Sequence, residues 1–367
     1  MLNVEREADN VYLNFTLQNT TGTLNEPARI SNTYTRPLIE NPTDYYGALV
    51  KFEIPLALLP LYVFPETPGF FKIGVVEYTN GGNQTGPITF VPAFMRDVEF
   101  VPNDATLQPS DPSYRYVYSY NRLLQFFSTA LFRAWTDAGA PGGAGNEPYL
   151  TFDEKTALIS VVMPKPFVDA PAPNPDSIGW TVCWNFEVQR LLPSFNVYFQ
   201  NDPSLVQNIR AELNTVPAFY DYSYDLNADN YIFTQEYSTL DYINSVRKVI
   251  IQSNLLPSRK EYYPPPITLE NNPANSNTIP IIGDFQINLN NVAGAQRQVA
   301  LYEANPYRLF DLTSTSTLSS IDLKILWADQ FNVIRPLYLT PNDSATVKLA
   351  FFSKKLYNSN NMVLEKL

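Results

Sequence analysis

The sequence predicts an all-β protein built of antiparallel sheets, and three observations carry that prediction. Apolar residues alternate with polar ones over short stretches from one end of the chain to the other, the period of a strand with one buried face. Aromatic residues make up 14% of the 367 positions and charged residues only 17%, a balance that favours pleated surfaces over solvated helices. The 31 prolines supply rigid turns between strands. No strand–helix–strand rhythm interrupts the pattern, so antiparallel pairing is expected.

The elements follow in order. Val11, Leu13, Phe15 and Leu17 alternate with Tyr12, Asn14 and Thr16. Val50, Phe52 and Ile54 alternate with Lys51 and Glu53. One segment departs from the two-residue period. In YNRLLQFFSTALFRAW, residues 120–135, Leu123, Phe127, Ala130, Leu131 and Ala134 fall at helical spacing, so a helix covering one end of a barrel is expected there. The Gly-rich stretch after it ends the helix and is expected to form a flexible loop. Strand alternation resumes at Phe285, Ile287 and Leu289, again at Ile321, Leu323, Ile325 and Trp327, and again at Val347, Leu349 and Phe351.

Proline-rich punctuation separates these stretches. DAPAPNPD, residues 169–176, cannot be a central strand. NDPS, residues 201–204, lies near the midpoint and is the candidate boundary between a first domain, 1–202, and a second, 203–367. EYYPPPITLENNPANSNTIP, residues 261–280, is a long loop of the sort that carries contacts between subunits.

A repeated phrase supports two halves. TDYYGALVKFEIPLALLP, residues 43–60, and LDYINSVRKVIIQSNLLP, residues 240–257, match without a gap at Asp44/Asp241, Tyr45/Tyr242, Lys51/Lys248, Ile54/Ile251 and the closing Leu-Leu-Pro. Twice their offset slightly exceeds the chain length. The expectation is a tandem duplication in which Phe52 and Ile54 hold the same barrel position as Val249 and Ile251.

Composition excludes several functions. A net charge of −11 argues against nucleic-acid gripping as the main task. Histidine is absent, which removes the commonest general base near neutral pH and the commonest transition-metal ligand. The single cysteine, Cys183, lies in an apolar run and is expected to be a buried, inert thiol. MLNVEREADN lacks the apolar segment of a secretory signal, so the chain is expected to be made and folded in a reducing interior.

Two motifs invite chemistry. AGAPGGAGNEP, residues 138–148, is glycine-rich but lacks the Gly-Lys-Ser/Thr ending of a phosphate loop and follows its helix instead of preceding it. Asp225, Asn227, Asp229 and Glu236 occupy positions 1, 3, 5 and 12 of a calcium-loop spacing. Position 6 is Asn230 where that loop turns on glycine, and the flanks read as strand and turn. An ordinary acidic β-connection is expected, with no catalytic, cofactor or metal site.

The strand ending in FEIPLALLPLY, the 120–135 helix, the following EPYLTFDEKTALISVVMP and the closing YRLFDLTSTSTLSSIDLKILWADQFNVIRPLYLTPNDSATVKLAFFSKK together resemble jelly-roll capsid proteins of tailless icosahedral DNA viruses. The double jelly-roll members of that class imply two tandem eight-stranded antiparallel jelly rolls in one chain, with the helix inserted in the first. They further imply a non-enzymatic major capsid protein located in the virion. The resemblance implies homotrimers that fill pseudo-hexagonal places in the shell, made in the host-cell interior, beside neighbouring capsomers and minor or penton capsid proteins and without direct sequence-specific nucleic-acid contact. The trimer contacts are expected to include loops 138–148 and 261–280. The 120–135 helix and its loop have no twin in the second half, which keeps open a penton, vertex or host-attachment protein.

Overall fold

The computed structural model describes residues 10–22, 26–79, 92–172, 177–214, 224–227, 229–258, 261–262, 278–287, 300–303 and 308–357. The protein is all-β, as the alternation predicts, and its described residues separate into two compact units. One unit takes the residues before Pro60 and after Asn244; the other takes those between.

The first unit has eight main strands among the described residues, besides five shorter ones at Glu26–Pro27, Glu261–Tyr262, Thr278–Ile279, Ile334–Pro336 and Tyr338–Leu339. The main strands are β1 (Val11–Gln18), β2 (Arg29–Thr33), β3 (Tyr45–Ile54), β4 (Val246–Gln252), β5 (Ile281–Gln286), β6 (Ala300–Glu303, resumed at Leu309–Asp311), β7 (Ser320–Asp329) and β8 (Ser344–Ser353). One sheet runs β1-β8-β3-β6 and the other β2-β7-β4-β5. Every ladder is antiparallel, and the pairs are nested: β1 with β8, β2 with β7, β3 with β6, β4 with β5. A single long hairpin rolled into two facing sheets gives this order, which is the jelly roll.

The buried faces are mostly those the alternation marks, though Val11, Leu13, Val50 and Phe285 are only half-buried, Leu49 is buried beside Val50, and Leu289 lies outside the described residues. Phe15 and Leu17 of β1, Phe52 and Ile54 of β3, Ile321, Leu323, Ile325 and Trp327 of β7, and Val347, Leu349 and Phe351 of β8 are all buried. The two sheets meet directly where Phe52 packs on Phe285, ring centroids 4.4 Å apart. Gly283 of β5 faces the Leu49 side chain of β3 so closely that a Cβ there would crowd it.

The second unit combines short hairpins with longer-range ladders, Val75↔Val182 in one sheet and Val161↔Phe233 in the other. A four-stranded sheet runs Tyr224–Asn227, Asn230–Thr234, Leu158–Pro164, Tyr149–Asp153. A five-stranded sheet runs Val197–Asn201, Ile209–Leu213, Ser177–Asn185, Lys72–Thr79, Phe94–Asp97. Helix α1 (Tyr120–Asp137) extends two residues past the expected 120–135. The Ser119 hydroxyl caps it by accepting from the Arg122 amide at 3.1 Å. Its apolar face, with Leu123, Phe127, Ala130 and Leu131, joins one core with Ile73, Val75, Trp180, Val182 and Trp184. A second, short helix, α2 (Phe186–Leu191), follows directly on the 177–185 strand.

Two expectations are corrected here. The units are nested, not tandem, because the second is inserted in the connection from β3 to β4. The expected boundary at 202/203 falls inside a hairpin whose strands pair from Val197↔Leu213 to Asn201↔Ile209, so the chain cannot be divided there. The repeated phrase is not a duplication either. Phe52 and Ile54 lie on β3 in one sheet, and Val249 and Ile251 on β4 in the opposite sheet of the same unit. The two phrases are the strands at which the chain leaves and re-enters one jelly roll.

Two substitutions test this packing. Phe52→Ala removes a ring with no exposed surface and is expected to cost about 3–5 kcal/mol in urea unfolding. A Cβ at Gly74 would collide with the Phe94 carbonyl of the neighbouring strand. Gly74→Ala is therefore expected to cost about 1–3 kcal/mol and to speed amide exchange in Phe94–Asp97.

Candidate assembly surface

The most elaborately built surface feature is the hairpin of Val197–Asn201 and Ile209–Leu213. Its sequence, VYFQN then DPSLVQN then IRAEL, puts Arg210 and Glu212 two residues apart and so on one face of a strand. The loop folds on itself through Asp202 N to Asn208 O at 2.9 Å, Leu205 N to Asp202 O at 3.1 Å and Asn208 N to Leu205 O at 3.0 Å. Asn208 closes it in the left-handed region, φ +53°, where asparagine is among the best-tolerated side chains.

A buried ionic cluster staples the base of this loop. The Arg210 Nη1 donates to Asp202 Oδ2 at 2.8 Å, while its Nε and Nη2 donate to Glu212 Oε1 at 2.9 and 2.6 Å. Asp202 Oδ1 accepts from the Ser204 amide at 3.0 Å and from its hydroxyl at 2.5 Å. Arg210 and Asp202 are 2% and 1% exposed. Charges this deep are tolerated only because each is paired and hydrogen-bonded.

The same hairpin presents apolar surface, at its loop and on the strand face that Phe199 shares with Ala211, opposite Arg210 and Glu212. Val206 at the loop is 98% exposed, and Phe199 is 59% exposed. Among the described residues Val197–Asn201 is an edge strand, and neither a proline nor a charge guards its edge, the usual devices against edge pairing. A rigid loop holding apolar side chains in water loses little entropy when a partner covers them.

The first unit repeats the device at the turn after β7. Asp329 Oδ1 accepts from the Phe331 and Val333 amides at 2.8 and 2.9 Å, and Arg335 Nη1 donates to Asp329 Oδ2 at 2.6 Å. The Arg335 guanidinium lies 5.2 Å over the Trp327 ring. Phe331, held at this turn, is 54% exposed.

The sequence motifs land elsewhere. Asp225 and Asn227 lie on a strand paired in a tight hairpin, Asp225↔Ile232 and Asn227↔Asn230. Asp229 occupies the turn, where its carbonyl accepts from the Lys165 amide at 3.1 Å, and the Glu236 amide donates to Ser194 O at 3.2 Å. Backbone pairing thus sets Asp225 and Asn227 along one strand of a hairpin, with Asp229 at its turn. Among the described residues no group of three or more acidic or cysteine side chains is arranged to hold a metal ion.

The Gly-rich loop is pinned where a flexible one was expected. The Trp135 indole donates to Pro141 O at 2.9 Å and the Asn146 amide group to Gly142 O at 2.8 Å. Gly142, at φ +82°, lies so close to the Pro166 backbone that no Cβ fits. Of the 261–280 loop, Glu261 and Tyr262 pair with Ile279 and Thr278; residues 263–277 lie outside the described residues. Cys183 is fully buried, and burial pushes its thiol well above the ordinary value.

A rolled eight-stranded sandwich with its antiparallel strands nested in pairs places the first unit in the jelly-roll class. The solved structures agree on the fold. The crystal structure of the mavirus penton protein superposes with a TM-score of 0.63 at 17% identity, over 94% of this chain and 100% of that one. A chain of the cryo-EM structure of the Sputnik virophage superposes with a TM-score of 0.67 at 23% identity, over 96% of this chain and 99% of that one. The chain belongs to the Sputnik minor capsid protein V18/19 family, matched over residues 11–353. Structural protein V19 of the Sputnik virophage is 32% identical over 132 residues, 36% of this chain and 59% of V19, so the match spans less than two thirds of that relative.

The staple makes a sharp prediction. Arg210→Ala leaves Asp202 and Glu212 buried without their shared cation and is expected to cost about 3–5 kcal/mol. The double replacement Arg210→Met, Glu212→Leu should cost less than the single one, because it removes the stranded carboxylate as well. Urea midpoints of the three proteins provide the comparison.

Proposed function

We propose that this chain is a structural subunit of an icosahedral virion, with no enzymatic role, and that it fills a vertex, penton-type place in the shell. The observation that carries the reading is the family match over residues 11–353 to proteins described as minor capsid. The likeness to the penton protein across the whole of that chain supports it. The nested connectivity supports it too: one complete jelly roll carries an inserted unit, where a capsomer of tandem barrels would place two side by side. The mechanism is non-covalent. Strands and loops held rigid by Asp202–Arg210 and Asp329–Arg335 offer apolar side chains that neighbouring capsid chains cover, and the hydrophobic effect does the rest.

A trimeric major capsid role is the second reading, favoured by the presence of two β units in one chain. Copy number separates the two. A vertex subunit obeys closed five-fold symmetry and is expected at on the order of 60 copies per particle, whereas a major capsid protein is the dominant band. Quantitative mass spectrometry of purified particles reads this directly; a copy number equal to that of the most abundant shell protein overturns the vertex reading. Phe199→Asp and Val206→Asp should lower incorporation into particles. Their melting temperatures should hardly move, since exposed positions change stability by about 0.5 kcal/mol or less.

A further inference from the structure

The hairpin staple contains more negative charge than its cation balances. Among the described residues, one guanidinium serves two buried carboxylates, Asp202 and Glu212. Asp202 has a second set of donors, the Ser204 amide and hydroxyl. Among the described residues the Glu212 carboxylate accepts only from the Arg210 nitrogens. The neighbouring strands bring no cation to it: its cross-strand partners are Cys183 on one side and Tyr198 on the other. The surplus charge therefore resides at Glu212, in a place where water does not reach to screen it.

We propose that the Asp202–Arg210–Glu212 cluster is a pH-responsive joint, in which Glu212 takes up a proton in mildly acidic solution and the 202–208 loop then closes more firmly. Burial pushes the Glu212 carboxyl above its ordinary 4.5, with the Asp202 charge adding to the rise and Arg210 opposing it. The sign follows from linkage. When the hairpin opens, Glu212 meets water and returns to its ordinary value. The closed form thus binds the proton first, so closure gains stability as pH falls through the raised value towards 4.5 and loses it as pH rises again. Arg210 keeps its bond to Asp202 throughout, so acid neutralises the surplus without breaking the staple. This inference is independent of where in a shell the protein sits.

The test is amide hydrogen exchange of the full chain, read over residues 202–213 at pH 7.5 and pH 5.0 and corrected for intrinsic rates. Glu212→Gln is run beside it as a permanently neutral stand-in. Protection of the native protein is expected to rise relative to Glu212→Gln on acidification to pH 5.0, by about threefold if the carboxyl is raised by one unit and by roughly tenfold more for each further unit. A ratio that stays flat between the two pH values overturns the proposal. Should Glu212→Gln fail to fold, carbonyl-carbon NMR of glutamate-labelled native protein reads Glu212 itself. A midpoint at or below 4.5 overturns the proposal; a midpoint clearly above it sustains it.

Discussion

Strand Tyr45–Ile54 is the member on which the first unit depends. It pairs with β8 on one side, from Tyr45↔Ser353 to Glu53↔Thr346, and with both segments of β6 on the other. Without it the sheet falls into two halves that have no other ladder between them. Its inward side chains also supply the contact with the facing sheet, where Phe52 meets Phe285. Hydrogen bonding along one direction and apolar packing along the perpendicular one thus converge on ten residues. That convergence explains why the inserted unit branches off only after Ile54, past the last ladder pair: an interruption within the strand would break both at once.

The same economy shapes the loops. A hairpin tip that must meet a partner is better held still beforehand, and a short chain turn has too few apolar atoms to hold itself. Both units answer this with a carboxylate that collects backbone amides and hands its second oxygen to an arginine. In the Ile209–Leu213 strand the arrangement is wholly buried and includes a second carboxylate, so fixation of the loop comes at a desolvation cost. In the turn after β7 the arginine is partly exposed and leans on Trp327, and the cost is smaller. Rigidity at the two tips is therefore obtained by the same geometry under different dielectric conditions.

How much of this was legible in the residues depends on the range of the interaction. The strands around Phe15, Phe52, Leu323 and Leu349 were readable because one face of each is wet and the period of two survives. Helix α1 was readable for the equivalent reason at a period of 3.6. The repeated phrase misled because β3 and β4 stand in like surroundings, each a buried strand followed by a Leu-Leu-Pro turn. Similar environments select similar residues without common descent. The nesting of the units left no mark, since a connection between strands carries no composition of its own. The ionic staple left a faint one: in IRAEL, opposite charges two apart share a face, and nothing local says whether that face is wet.

Nested pairing also orders events in time. Val11 finds its partner in Phe351, whereas the ladders of the inserted unit, from Phe152↔Ile159 to Val75↔Val182, join partners that all lie between Pro60 and Asn244. During synthesis domains fold as units, and non-local ladders must wait for their second strand. The inserted unit can therefore reach its native form while β1, β2 and β3 are still single strands on the emerging chain. For that interval three unpaired strands, none with a proline in its interior, stand open to the same strands of a sister molecule on the next ribosome. The architecture that makes a closed sandwich in the finished subunit thus makes its nascent form dependent on crowding along the message, with slow translation of the middle of the chain prolonging the exposure.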